Sequence, residues 1–193
     1  MKSVYYPEIE QLVKQMTGAA EVLVFDHTLR AENEATRQEK LASGPVRRVH
    51  NDYTEWSGPQ RVRDLMSPEE AAKRLNRRFS VIQVWRPVNN PVLSAPLAIA
   101  DSLSIAAKDL VGTERRYPDR VGEIYHLAYN PEHRWYYFPN MQPNEAIVFK
   151  CYDSMTDGRS RWSAHSAFED SNSPTSARAR ESIEMRTLAF FDS

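Results

Sequence analysis

Residues 46–64, VRRVHNDYTEWSGPQRVRD, place a histidine and an aspartate one residue apart, His50 and Asp52. The surrounding segment PVRRVHNDY (45–53) has the β-branched and aromatic residues typical of a strand. Successive side chains of a strand point to opposite faces, so residues i and i+2 share one face. We therefore predict that His50 and Asp52 project side by side into one space, while Asn51 points away from it.

Segments of the same type account for most of the chain. Each is rich in β-branched or aromatic residues and is bounded by Pro, Gly, Asn or Asp. They are residues 21–28, 45–53, 79–88, 95–101, 121–129, 134–138, 145–153, 161–168 and 182–191. The low glycine content (6) and high proline content (12) fit short strands separated by turns better than a helical bundle. So many short strands favour a double sheet or barrel of the jelly-roll type.

Two segments have helical patterns instead. Residues 7–19 begin with proline, carry an apolar stripe and end near Gly18. Residues 67–79 begin with Ser67 as the N-cap and have Glu70 three residues later, which is a capping-box pattern. We expect both helices to pack outside a sheet. The predicted fold class is mainly β with a few flanking helices around a double-stranded β-helix (jelly-roll) core.

Size and charge limit the classes of function. A chain of 193 residues suits one domain, predicted to span residues 1–193. Lys plus Arg (25) nearly balance Asp plus Glu (26), which argues against nucleic acid or an anionic membrane as a partner. The lone cysteine, Cys151, cannot form an intrachain disulfide, and no run of about 18 apolar residues suggests a membrane span. We expect a cytoplasmic protein with no nucleic-acid or membrane partner, and a homodimer is left open.

A second histidine completes a set of metal-ligand candidates. His165 lies in the predicted strand 161–168. Two imidazoles and one carboxylate leave three positions open on a metal, which is the facial triad of non-haem Fe(II) sites. His50, Asp52 and His165 are therefore candidate iron ligands. The alternative for an isolated His-x-Asp pair is a surface or hydrogen-bonded histidine, because the tripeptide arises often by chance.

The end of the chain supplies a candidate carboxylate clamp. Arg180 and Ser182 share a strand face at the start of the last predicted strand. A guanidinium fork and a hydroxyl suit the distal carboxylate of 2-oxoglutarate, whose keto-acid end would chelate iron. The alternatives are a solvated arginine at a strand start, and Arg186 as the clamp, since Arg186 lies on the same face.

Several segments together resemble the fungal and bacterial hydroxylase/desaturase family that includes the gibberellin desaturase and the cephamycin 7α-hydroxylase component. They are VHNDYTEWSGPQRVRDL, FSVIQVWRPV, GEIYHLAYNPEHRWYYFPNMQPNEAIVFKCYDS, AHSAF and RESIEMRTLAFF. The resemblance implies a double-stranded β-helix that uses Fe(II), 2-oxoglutarate and O2 to hydroxylate or desaturate a small-molecule secondary metabolite, with succinate and CO2 as co-products. By position, it places His50, Asp52 and His165 on the metal ligands and Arg180 with Ser182 on the co-substrate clamp.

The resemblance also suggests a residue of the substrate pocket and a shortened N-terminus. Trp85 lies in a Trp-Arg-Pro match and is predicted to bind substrate, the alternative being a core aromatic. For Lys150, a co-substrate carboxylate or Asp153 is the expected partner. The family's N-terminal region is expected to be missing here. The alternative functions are a jelly-roll protein that binds a small molecule without redox chemistry and a catalytically inactive homologue.

Overall fold

Two antiparallel β-sheets form the body of the computed structural model, which describes residues 2–118 and 120–192. The strands are β1 (Glu21–Ala31), β2 (His50–Asn51), β3 (Phe79–Pro87), β4 (Leu97–Ala100), β5 (Leu110–Arg116), β6 (Val121–Leu127), β7 (Trp135–Tyr137), β8 (Ile147–Asp153), β9 (His165–Ala167) and β10 (Glu181–Phe190). The helices are α1 (Tyr5–Thr17), α2 (Glu34–Lys40), α3 (Ser57–Leu65) and α4 (Pro68–Leu75).

The two sheets differ in size and in strand order. The four-stranded sheet has the order β1-β10-β3-β8, and the six-stranded sheet has the order β5-β6-β2-β9-β4-β7. Strands distant in sequence are neighbours in both sheets, as expected of a jelly roll. The two antiparallel sheets with their flanking helices confirm the predicted mainly β, jelly-roll fold class.

The space between the sheets is apolar at one end and polar at the other. Along β10 the even-numbered residues face inward. Leu188 and Phe190 belong to a buried cluster with Phe79 and Val81 of β3. Towards the start of β10 the same inward face carries polar side chains, which are the buried residues Arg180, Ser182 and Glu184 and the mostly buried Arg186. The polar end of this space contains the candidate site.

Helix α1 covers the outer face of the four-stranded sheet. Its residues Ile9 and Val13 pack against Val84 of β3 and Met185 of β10, which alternate with the inward-facing residues. Gly18 ends the helix in the left-handed conformation (φ 73°), as a C-cap glycine commonly does. Both faces of the sheet are therefore covered, which explains why most residues of β3 and β10 are buried on either face.

The predicted elements differ from the observed ones mainly in length. The predicted strand 45–53 is reduced to the two residues of β2, and the helix predicted over 67–79 ends at Leu75. Ser67 caps that helix as expected, because its side chain accepts a hydrogen bond from the backbone of Glu70. Strand β5 and helices α2 and α3 were not predicted. No helix among the described residues is long and apolar enough to cross a membrane.

Candidate metal and co-substrate site

The predicted metal ligands come together in the six-stranded sheet. Strands β2 and β9 are adjacent, and His50 pairs directly with His165 across them. Asp52 follows β2 immediately, and its Oδ1 lies 3.4 Å from Nε2 of His50. One ligand atom from each of the three residues lies within 4.8 Å of the other two. The three side chains are therefore close enough for small side-chain movements to close them around one ion.

Backbone carbonyls orient both imidazoles. The Nδ1 atom of His50 lies 2.8 Å from the carbonyl oxygen of Arg48, and that of His165 lies 2.8 Å from the carbonyl oxygen of Ser163. Because a carbonyl oxygen only accepts, each Nδ1 carries a proton, and in the neutral imidazole the lone pair is therefore on Nε2. Such a bond to the far nitrogen is the usual support of a metal-binding histidine.

Asn51 fixes the backbone between His50 and Asp52. Its side chain is fully buried and donates to the carbonyl oxygens of Tyr53 and Cys151, at 2.6 and 2.8 Å. Its amide oxygen accepts from the backbone of Ser163, just before β9. One amide thus joins β2 to β8 and to the segment that carries His165. The sequence reasoning placed Asn51 facing away from the site but did not identify this role.

Asp52 is held in the ionised state. Burial alone would raise the pKa of its carboxyl, but the hydrogen bond with His50 and the charge of Arg186 outweigh burial and lower that pKa well below its usual range. Its Oδ2 accepts hydrogen bonds from the side chains of Gln83 and Arg186. The residue therefore presents a carboxylate, the form that binds metal.

The pKa values of the two histidines shift in opposite directions. For His165, burial and then the neighbouring His50 lower the pKa, so this imidazole is neutral near pH 7. For His50, burial alone would lower the pKa, but the hydrogen bond and charge of Asp52 raise it overall. When His50 is charged, its Nε2 carries a proton. A metal that binds Nε2 replaces this proton, because metal and proton compete for one lone pair.

Arg180 and Ser182 have donors without a protein partner. Both side chains are buried, at 2% and 1% exposure, and the described residues offer no hydrogen-bond partner to Nε of Arg180 or to Oγ of Ser182. The Arg180 guanidinium lies 5.4 Å from the Trp85 ring centroid, and its Nη1 donates to the carbonyl of Ala95 at 2.5 Å. Ala95 has a left-handed backbone (φ 43°), unusual for a residue other than glycine.

Burial lowers the pKa of Arg180, but the guanidinium keeps its positive charge. Burial, followed by the positive charge of Arg30, lowers the pKa of Arg180 to about 10. The guanidinium is therefore still cationic near pH 7, in a place where water is largely excluded. A buried cation with an unused donor is suited to an incoming carboxylate, which would supply both the charge and the acceptor.

Arg186, the rival for the clamp, is already surrounded by acids. It pairs with Asp26 at 3.1 Å and with Asp52 at 3.5 Å, and it also contacts Glu184. Burial alone would lower its pKa, but the charge of Glu184, followed by that of Asp52, raises it. These acids hold Arg186 beside Asp52, a candidate metal ligand.

A small cavity is lined by the two histidines of the triad and by Arg180. It measures about 20 Å³ and is lined by His50, His165, Trp85, Arg180 and Glu184, among others. Trp85 is 2% exposed and belongs to the buried core as well as to this wall. A larger cavity of about 200 Å³ opens on the other side, where Asp52 and Arg186 form part of the lining.

Other chemically notable residues have structural partners. Lys150 donates to Asp153 at 2.7 Å, which is the structural alternative considered for this lysine. Cys151 is fully buried, and burial raises the pKa of its thiol well above the usual value, so it behaves as a small apolar residue. His133 lies 3.0 Å from Asp109 and is remote in the fold from the triad.

The residues present fit an iron ion. Two imidazole nitrogens and one carboxylate oxygen on one side leave the opposite side free for other ligands. Metal bonds of about 2.1 Å place neighbouring ligand atoms about 3 Å apart, and the 3.4 Å between His50 and Asp52 is close to that. A jelly roll with this donor set defines the class of mononuclear non-haem iron oxygenases.

Comparisons with known proteins identify the family within that class. The family model described as oxidoreductase/YMDC permease-like domain matches residues 1–190. The hydroxylase/desaturase efuI of Hormonema carpetanum is 33% identical over all of this chain and 71% of its own length. The Fe(II)/2-oxoglutarate-dependent dioxygenase nvfI of Aspergillus novofumigatus is 35% identical over 96% of this chain and 66% of its own length.

A solved structure of an iron-dependent enzyme is also similar to this chain. The iron and alpha-ketoglutarate-dependent endoperoxidase NvfI superposes with a TM-score of 0.88 at 33% identity, covering 97% of this chain and 68% of that one. The chain belongs to this oxidoreductase family, whose curated fungal relatives are hydroxylase/desaturases and Fe(II)/2-oxoglutarate-dependent dioxygenases. The family resemblance drawn from the sequence is confirmed.

Proposed function

We propose that this chain is an Fe(II)- and 2-oxoglutarate-dependent dioxygenase that hydroxylates or desaturates a small-molecule secondary metabolite, releasing succinate and CO2. In this proposal His50, Asp52 and His165 hold the iron. Arg180 and Ser182 bind the distal carboxylate of 2-oxoglutarate. The proposal takes the cofactors from the relatives and assigns their binding to residues of this chain.

One observation carries the assignment. The small cavity is lined both by the imidazoles of His50 and His165 and by Arg180, whose Nε has no hydrogen-bond partner among the described residues. Ser182 lies two residues further along the chain, and its buried hydroxyl is likewise without a partner there. A dicarboxylate that chelates a metal at its keto-acid end and presents a second carboxylate at the other end matches this arrangement. A buried hydroxyl and guanidinium nitrogen without partners are costly in a protein that binds nothing there.

Bound iron and 2-oxoglutarate would supply the oxidation that protein side chains cannot perform. The chain's own residues orient the metal ligands and shield the reacting atoms from water. The carbonyls of Arg48 and Ser163 keep the imidazoles turned towards the ion, and the buried walls exclude water from the reacting atoms. The ionised Asp52 neutralises part of the charge of the ion.

The cavity beside Arg180 is small. Its volume of about 20 Å³ is room for roughly one water molecule. Binding of 2-oxoglutarate therefore separates side chains of its wall, where Trp85, Arg30 and Glu184 lie. We assign Trp85 to this wall, which places it within reach of co-substrate and substrate. The remaining partners are the small-molecule substrate and O2, and the proposed location is the cytoplasm.

Succinate release tests the function. The chain is reconstituted anaerobically with Fe(II), mixed with 2-oxoglutarate and air, and succinate is measured by mass spectrometry with and without candidate metabolites. We expect metal-dependent succinate formation in the wild type and none in Asp52→Ala. Asp101→Ala is the matched control, because Asp101 pairs with the exposed Arg134 at the surface.

The alternatives predict different outcomes in the same experiment. A jelly-roll binding protein would take up a small molecule without consuming 2-oxoglutarate and without requiring iron. An inactive homologue would bind Fe(II) stoichiometrically but release no succinate with any metabolite tested. Either result would replace the dioxygenase assignment.

A further inference from the structure

Gln83 is a fully buried polar residue in the middle of β3, and the proposed reaction has not used it. Its side chain faces inward between the sheets, where its Nε2 donates a hydrogen bond to Oδ2 of Asp52. Its Oε1 has no hydrogen-bond partner among the described residues. A buried amide with one unsatisfied oxygen is destabilising by itself, so its single contact requires an explanation.

Gln83 acts together with a residue on the neighbouring strand. Gln83 of β3 pairs in register with Arg186 of β10, so the two side chains leave the four-stranded sheet side by side. Both reach the same atom, Oδ2 of Asp52, and the Arg186 contact is 3.5 Å long. The four-stranded sheet thus holds a metal-ligand candidate that belongs to the six-stranded sheet.

The two oxygens of Asp52 are consequently in different environments. Oδ1 faces Nε2 of His50, where the ion would lie, and Oδ2 faces the donors of Gln83 and Arg186. A carboxylate can bind a metal through one oxygen or through both. Donors that saturate Oδ2 favour binding through Oδ1 alone, which leaves three positions of the ion for the co-substrate and O2.

We propose that Gln83 is a positioning residue of the metal centre, which together with Arg186 holds Oδ2 of Asp52 so that the aspartate binds iron through one oxygen. The proposal rests on the proposed iron site and adds a determinant of its coordination number. Arg186 is itself fixed by Asp26 at 3.1 Å and Thr28 at 2.9 Å, so its reach towards Asp52 is limited. The amide of Gln83 supplies the second donor to Oδ2.

The test compares two variants of Gln83 with a control on the same strand. Gln83→Met keeps the length of the side chain and removes the donor. Gln83→Asn keeps the amide but is one methylene shorter, and it serves if the methionine variant does not fold. Ser80→Ala is the control, because Ser80 is also fully buried on β3 and its hydroxyl has no partner among the described residues.

Two readouts besides turnover are measured under anaerobic conditions. Calorimetric titration gives the Fe(II) dissociation constant, and we expect it to rise about 10- to 100-fold in the Gln83 variants, as for other residues that support a metal ligand. The absorption spectrum of the Co(II)-substituted protein reports coordination number. We expect this spectrum to change in the Gln83 variants, where both oxygens of Asp52 become free to bind, and to be unchanged in Ser80→Ala.

The outcomes separate this proposal from the proposed function. If the wild type binds iron and the Gln83 variants match it in affinity and in Co(II) spectrum, the positioning role is refuted and the iron site stands. If the wild type binds neither Fe(II) nor Co(II), both proposals are overturned. Weaker binding with a changed spectrum, at the same thermal stability as Ser80→Ala, supports the positioning role.

Discussion

His50 and His165 face each other across the adjacent strands β2 and β9, with ring centroids 4.6 Å apart. More than half of the chain separates them in sequence. Each donates its Nδ1 proton to a carbonyl two residues earlier, so Nε2 is the nitrogen that each presents to the small space between them. The pairing of two strands therefore determines both the distance between the imidazoles and the nitrogen that each presents.

This arrangement predicts that loss of a triad histidine abolishes iron binding, whereas loss of a histidine outside the triad does not. His165→Ala should lose stoichiometric iron at micromolar Fe(II), because two remaining ligands do not hold the ion in a rigid site. His133→Ala should retain it, although His133 is similarly buried, since its partner is Asp109 rather than the triad. Metal analysis after gel filtration distinguishes the two, and equal iron contents would remove His165 from the site.

Arg180→Ala should weaken binding of 2-oxoglutarate and leave iron binding intact. Loss of one buried, charge-assisted partner of a carboxylate costs about 2 to 5 kcal/mol, and about 1.4 kcal/mol is tenfold, so we expect at least a tenfold higher dissociation constant. Ser182→Ala should have a smaller effect, of about 1 kcal/mol. Calorimetry of the Fe(II)-loaded protein provides the measurement.

Arg186→Ala provides the comparison for the clamp. It should mainly impair iron binding, because Arg186 contacts Asp52 and is otherwise paired with acids. Normal 2-oxoglutarate binding in Arg180→Ala together with loss in Arg186→Ala would reverse the assignment and make Arg186 the clamp.

Most of the strands and the three ligand positions could be predicted because they depend on local pattern. The His-x-Asp argument assumed a strand over 45–53, whereas β2 has only two residues and the geometry depends instead on the buried amide of Asn51. Helix α3 was missed because its start, Ser-Gly-Pro, has the composition of a turn. Helix α2 has no buried residue and so no apolar stripe to detect.

The side chains that contact Asp52 from the other sheet could not be predicted in the same way. Gln83 supports Asp52 only because β3 pairs with β10 in a register that sets Gln83 opposite Arg186. Non-local strand pairing of this kind leaves no periodic signal in a single sequence. The proposed clamp could be suggested from sequence because Arg180 and Ser182 lie close together in it.

A close approach in α3 predicts an unusual response to alanine. Gly58 packs against the ring of Tyr152, and a Cβ at this position would lie 2.7 Å from two ring carbons. Gly58→Ala should therefore lower the free energy of unfolding by about 1 to 3 kcal/mol, although alanine favours helices by about 1 kcal/mol.

Gly44→Ala is the matched control for that substitution, since its nearest neighbour would be 3.9 Å away, at Arg37. Its unfolding free energy should change by less than about 0.5 kcal/mol. Urea denaturation of both variants provides the comparison, and an unchanged or higher midpoint for Gly58→Ala would contradict the predicted clash.

The buried acid Asp153 predicts a pH-dependent contribution to stability. Burial alone would raise the pKa of its carboxyl, but hydrogen bonds from Arg78 and Lys150 outweigh burial and lower it from 3.8 to about 2. Because the folded pKa lies below the unfolded one, the stabilisation is present above about pH 4 and is lost as the pH falls towards 2.

Asp153→Asn should thus be less stable than the wild type at pH 7, and the difference should shrink between pH 4 and pH 2. Urea denaturation over this pH range measures the difference. A gap that stays constant with pH would show that the charge of Asp153 is not responsible.

The most direct test of the central claim is an anaerobic titration of the protein with Fe(II) and 2-oxoglutarate, monitored by visible absorption. If His50, Asp52 and His165 hold iron opposite the clamp of Arg180 and Ser182, a weak charge-transfer band of the iron–keto acid chelate should appear and saturate at one equivalent of iron. Asp52→Ala should not produce it, and Asp101→Ala should. Absence of the band in the wild type, or its persistence in Asp52→Ala, would contradict the account.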